Sequence, residues 1–181
     1  MQLSQAIKER HSVRRFEEKP IPHEEIEKIV ELARFAPSWK NTQIARYIIV
    51  EDREKIEALA SDACTYGFSF NAKTILSAQA VCVLTYVKNR SGFDRDGSFS
   101  TPKEDRWQNF DCGLFAGHFI LAAHELGIGT VILGYFDEEE IKKIISIPEN
   151  QAIGCIIPMG YPKFSQEPTH RKEVSELLTY L

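Results

Sequence analysis

Apolar residues recur at helical spacing between residues 22 and 35, where Ile26, Ile29, Val30 and Ala33 fall on one face. Pro22 and the acidic pair Glu24 and Glu25 occupy positions that favour a helix start, and Pro37 stops the segment. Four other stretches, at 47–50, 80–87, 129–133 and 153–159, are short, rich in β-branched residues and bounded by turn or polar positions. Their alternation is weak, so they are expected as strands buried on both faces of a sheet. Helical segments are predicted between them at about 52–61, 71–78, 107–126 and 137–146. The last opens on Asp137 with an acidic residue three positions on, a capping pattern. A short final helix is predicted from Val174. Helices and strands therefore alternate within one domain spanning 1–181, as a sheet flanked by helices on both sides.

Two segments depart from ordinary amphipathic patterning. From Trp107 to Leu126 little of the helix is polar, so most of its circumference must be buried, and in a small chain a homodimer interface is an economical way to do this. Residues 88–106 lack apolar periodicity and are rich in Gly, Ser, Asp and Arg, as expected of a lid or a mobile loop. Gly127 and Gly129 resemble the start of a dinucleotide fingerprint, but they precede a strand instead of following one. They are better explained as the stop of the long helix.

The net charge of −4 argues against nucleic acid or an anionic membrane as partner. The amphipathic opening carries Lys8, Glu9 and Arg10 instead of an apolar leader, so the chain is expected to be cytoplasmic. Four cysteines show neither CxxC pairing nor metal-like spacing and read as reduced thiols, and the histidines show no ligand-like grouping.

Within this acidic chain the run Arg10-His11-Ser12-Val13-Arg14-Arg15-Phe16 concentrates cationic and hydrogen-bonding side chains. Arginine presents a fixed fork of donors that matches phosphate oxygens, while serine and histidine add further donors, so the run is a candidate anion site. About twenty residues on lies Ala36-Pro37-Ser38-Trp39-Lys40-Asn41-Thr42-Gln43, and Arg171 stands near the far end.

Read together, these motifs resemble the nitroreductase family of FMN-dependent oxidoreductases. The resemblance implies an α+β fold with a central mixed sheet flanked by helices, in an intertwined homodimer. It implies that Arg10, His11, Ser12, Arg171 and Lys172 hold the flavin phosphate and that Arg14 lies against the pyrimidine side of the ring. Pro37, Ser38, Trp39 and Asn41 would reach the flavin from the second subunit. Asn71 would pair with the pyrimidine edge, with Thr74 or the adjacent Lys73 nearby. Leu133 and Gly134 would lie beside the N5 side, through backbone N–H groups, since Leu133 stands where some relatives have Glu.

The implied reaction uses NADH or NADPH to reduce nitroaromatic, quinone or similar small acceptors in two half-reactions. The flavin carries the chemistry, so no catalytic acid or nucleophile is expected. The alternatives are a specialised enoyl, azo or dehalogenating reductase on the same scaffold, and a flavin-binding or sensing module without efficient turnover.

Overall fold

The structure, a computed structural model, describes residues 2–181. Its elements in chain order are α1 (Leu3–Glu9), α2 (His23–Ala33), β1 (Ala45–Val50), α3 (Arg53–Leu59), α4 (Asp62–Thr65), α5 (Ser69–Ser77), β2 (Ala80–Val87), α6 (Arg106–Glu125), β3 (Gly129–Thr130), α7 (Glu138–Ile144), β4 (Gln151–Gly160) and α8 (Val174–Leu177). The strands form one sheet in the order β1-β2-β4-β3, with antiparallel ladders. A parallel bridge from Ser12 to Thr130 adds the other sense of pairing.

The period-2 alternation of a strand sends neighbouring residues to opposite faces. In β2, Ala80, Cys82 and Leu84 join a core with α2 and α6, built around Ile29, Phe115 and Phe119. Val81 and Val83 face the other way, into a core with Ile56 and Leu59 of α3, Ile75 of α5 and Ile141 of α7. Helices thus cover both faces, as the alternating pattern requires. Strand β1 corrects the expectation of full burial: it is an edge strand, and Arg46 to Ile49 are only partly covered.

The expected strand at 129–133 keeps regular pairing only through Thr130. Val131 donates to the Pro158 carbonyl at 3.3 Å, but Pro158 has no N–H to return, so the ladder breaks and resumes as a bridge between Leu133 and Ile156. The long helix α6 ends as its glycine suggests. Gly127 has φ +76°, its N–H donates to the His124 carbonyl, and Ile128 N–H donates to Ala123, the two bonds of a Schellman cap. Asp137 caps α7 by accepting from the amides of Glu139 and Glu140, each at 3.0 Å.

Residues 88–106 fold back in a compact turn: Asp94 N–H donates to Ser98, Ser100 N–H donates to Gly92, and the rings of Phe93 and Phe99 pack at 5.0 Å. The C-terminal stretch from residue 163 onward is exposed throughout, including Val174, Leu177 and Leu178 of the α8 region. No helix among the described residues is long and apolar enough to cross a membrane. All four cysteines are buried thiols.

Candidate functional site

The anion motif begins where α1 ends: Arg10 is the C-cap residue, its N–H bonded to the Ala6 carbonyl. The chain then runs extended along β3, with Val13 N–H donating to Thr130 at 2.9 Å. Val13 and Phe16 are buried anchors, and two glycines receive them. A Cβ on Gly129 would stand 2.7 Å from Val13, and one on Gly160 would stand 2.9 Å from Phe16. Residues two apart in an extended chain share a side, so Ser12 and Arg14 are presented away from the Val13 anchor.

This end of the chain gathers positive charge. Arg10 is partly buried, and its guanidinium loses proton affinity through desolvation and then through the nearby Arg171 cation. Arg171 comes from the distant C-terminal segment, where the carbonyls of Thr169 and His170 hold its Nη1. Bringing like charges together in this way is unfavourable unless a negative group stands between them. His11 Nδ1–H donates to the Glu9 carbonyl at 3.0 Å, and its Nε2 is buried without a partner. Lys172 is exposed and lies 4.0 Å from Glu176. Two guanidiniums and the Ser12 hydroxyl suit a phosphate dianion.

Arg14 is exposed, its Nη1 donating to the Ser12 carbonyl at 3.3 Å and its guanidinium lying 5.6 Å from the Phe70 ring. Asn71 is buried, and its Nδ2 donates to the Tyr135 carbonyl at 3.4 Å, which leaves its amide oxygen open. Thr74 is buried with its hydroxyl bonded to the Phe70 carbonyl at 2.9 Å, and Lys73 is exposed. The Leu133 N–H corrects an expectation: it donates to the Ile156 carbonyl at 2.9 Å, so its hydrogen is committed to the sheet. Gly134 is exposed, its Cβ direction is open, and its φ is not positive.

A feature missed in the sequence joins these residues. Tyr66, Phe68, Phe70 and Tyr135 are each about half exposed and pack on one another, with ring centroids 5.1–6.2 Å apart. An exposed aromatic group of this size marks a contact surface for something planar or apolar. Its signal in the sequence was the spacing of Tyr66, Phe68 and Phe70 in a turn that has no core to fill.

Pro37, Ser38, Trp39 and Asn41 lie elsewhere. The Trp39 N–H donates to Asp111 Oδ2 at 2.9 Å, and Ser38 Oγ accepts from the Gln43 N–H at 2.9 Å. Lys40, Asn41 and Gln43 hold positive φ values of 46°, 54° and 47°, a strained turn kept in place by those bonds. Trp39 lines a cavity with residues of the 88–106 segment, whereas Arg10 and His11 line a different one. One protomer therefore does not bring the two motifs into a common pocket.

Comparison with known proteins places this arrangement. The family model described as "Nitroreductase family" matches residues 7–74 and 69–161. A protein of Archaeoglobus fulgidus, provisionally named an NADH dehydrogenase/NAD(P)H nitroreductase, is 34% identical over 158 residues, covering 85% of this chain and 82% of that one. An iodotyrosine deiodinase of Thermotoga neapolitana is 27% identical over 191 residues, covering 95% of each chain. Among solved structures, a nitroreductase family protein of Clostridium novyi superposes with a TM-score of 0.76 at 29% identity, covering 90% of this chain and 86% of that one. An iodotyrosine deiodinase bound to FMN and 3-iodo-L-tyrosine shares the fold, with a TM-score of 0.77 at 23% identity, covering 95% of this chain and 96% of that one.

Proposed function

Because the chain belongs to the nitroreductase family, we propose that it is an FMN-dependent oxidoreductase that spends NADH or NADPH to reduce small acceptors such as nitroaromatics and quinones. The observation that carries this reading is that Arg171, from the far end of the chain, lies close enough to Arg10 to lower its proton affinity, with His11 and Ser12 following Arg10 directly in the chain. When bound, FMN supplies the hydride-accepting and hydride-donating chemistry of both half-reactions.

The chain's own residues bind and orient. Arg10, His11, Ser12 and Arg171 hold the phosphate, with Lys172 contributing charge at the rim. Arg14 lies at the pyrimidine side, where a fixed cation favours the negative charge that gathers there on reduction. Asn71 offers its open amide oxygen to an N–H donor on that edge. Thr74, its hydroxyl turned to Phe70, acts by shape, and the Gly134 N–H takes the place at the N5 side that Leu133 cannot fill. The aromatic group around Phe70 borders this ring site.

Pro37, Ser38, Trp39 and Asn41 complete the site from a second copy of the chain. A homodimer is supported by apolar surface with nothing to cover it in one protomer: Phe110 on α6 is 56% exposed and Leu177 on α8 is 70% exposed. Size-exclusion chromatography with light scattering tests this, and a monomer at micromolar concentration would overturn it.

The decisive experiment on activity is to purify the chain, identify the compound released on denaturation, and mix the protein anaerobically with NADH or NADPH. One FMN per protomer, bleached by either nucleotide and reoxidised by a nitroaromatic or quinone, is the expected result. Flavin that stays oxidised would instead mean a sensing module. The Thermotoga neapolitana relative supports a second reading, reductive dehalogenation of a halogenated phenol on the same scaffold, which halide release under the same conditions would reveal.

A further inference from the structure

The cavity beside Trp39 has a chemistry of its own. It encloses about 690 Å³ between the strained turn at 39–43 and the 88–106 segment. Two aromatic side chains, Trp39 and Phe93, contribute flat apolar surface. Three cations, Lys40, Arg90 and Arg95, line it as well. Lys40 is neutralised locally: its Nζ lies 3.1 Å from Asp94 Oδ1 and 4.2 Å from the Trp39 ring. Arg90 and Arg95 are exposed at the mouth of the cavity and have no ion-pair partner among the described residues, so both guanidiniums are available to an anion there. Thr42 lines the same space, with its hydroxyl oxygen buried away from it.

Flat aromatic walls select a planar ring, and guanidiniums select a carboxylate or a comparable oxyanion, which they bind with charge-assisted hydrogen bonds.

We propose that this cavity is the acceptor-recognition site and that it selects aromatic acceptors carrying an acidic group, with Arg90 and Arg95 as the residues that discriminate. The proposal rests on the flavin-reductase reading only in the word acceptor; the recognition chemistry stands without it. The ring lies against Trp39 and Phe93, and the oxyanion meets Arg90 and Arg95. The exposed Lys40–Asp94 pair joins the 39–43 turn to the 88–106 segment at this cavity.

The test is isothermal titration calorimetry on the protein as purified, using 4-nitrobenzoate and its neutral counterpart 4-nitrobenzamide, with wild type and with Arg90→Gln/Arg95→Gln. The wild type is expected to bind nitrobenzoate about tenfold or more tightly than nitrobenzamide, a ratio that falls to about one in the double variant. Circular dichroism confirms folding, and Arg90→Lys, which keeps the charge, should retain part of the ratio. Equal affinity for both probes in the wild type would overturn the proposal, as would an unchanged ratio in the double variant. A colourless protein that fails to take up FMN yet still binds nitrobenzoate with this selectivity would defeat the reductase reading while upholding the recognition site.

Discussion

Asp111 and Trp39 are joined across 72 residues of sequence: the Trp39 N–H donates to Asp111 Oδ2 at 2.9 Å. The same oxygen accepts from the Ser91 hydroxyl at 2.6 Å, so one buried carboxylate on α6 pins both the 39–43 turn and the start of the 88–106 segment. Replacing it with alanine leaves both donors unpaired. Asp111→Ala should cost about 1–3 kcal/mol in urea denaturation, and Asp111→Asn, which keeps an acceptor oxygen, should cost less. Equal losses in the two variants would show that packing, not acceptance, sets the role.

Arg10 and Arg171 repel each other in the flavin-free protein, and an anion between them should relieve the strain. Inorganic phosphate at about ten times its dissociation constant should stabilise that form by about 1.4 kcal/mol, and raise its melting temperature by a few degrees. Arg171→Ala should abolish the response to phosphate and, like Arg10→Ala, weaken FMN retention. A phosphate response that survives in Arg171→Ala would remove that residue from the anion site.

The elements that could be read in advance were those specified locally. Ile26, Ile29 and Ala33 mark α2 by their spacing, Gly127 marks the end of α6, and Asp137 caps α7. The anion motif was legible for the same reason, since Arg10, Ser12 and Arg14 lie within five residues. What escaped depends on distant partners. Nothing near Leu133 says that Pro158, across the ladder, will interrupt the pairing or that Ile156 will take the Leu133 hydrogen. The edge position of β1 follows from strand order, and the Asp111 clip from where α6 happens to pass the 39–43 turn. Three non-glycine residues with positive φ in that turn run against ordinary turn chemistry and are legible only once the clip is seen.

Gly154 and Cys112 illustrate a packing constraint. The β2–β4 register shifts between Leu84 and Thr85, where Gly154 is the extra residue, and a Cβ there would lie within van der Waals overlap of the Cys112 sulfur. Gly154→Ala should destabilise the fold by about 1–3 kcal/mol through overpacking. In a Cys112→Ala background the sulfur is gone and the remaining neighbours lie at ordinary contact distance. The same substitution should then cost less, and a double-mutant cycle in urea gives the coupling. Additive costs would mean that the clash is not with the thiol.

His124 lies beside the anion motif, and its imidazole has a pKa below the usual 6.5. Desolvation is the main cause, followed by His11; Arg10 adds to the effect and Glu9 opposes it. Its Nε2 is buried and unpartnered. A histidine held neutral by the fold binds its proton more readily in the unfolded chain, so folding stability is lost as pH falls below about 6.5, until the folded-state pKa is reached. The wild type should therefore be less stable to urea at about pH 5.5 than at about pH 7.5, and His124→Gln should flatten that dependence. His11, Arg10 and Glu9 all face the same imidazole, so Glu9→Gln, which removes the opposing carboxylate and lowers the His124 pKa further, should instead enlarge the loss of stability at acid pH and extend it to lower pH. A pH profile of unchanged slope in His124→Gln would assign the acid sensitivity to other groups and leave the unpartnered Nε2 as a purely structural feature.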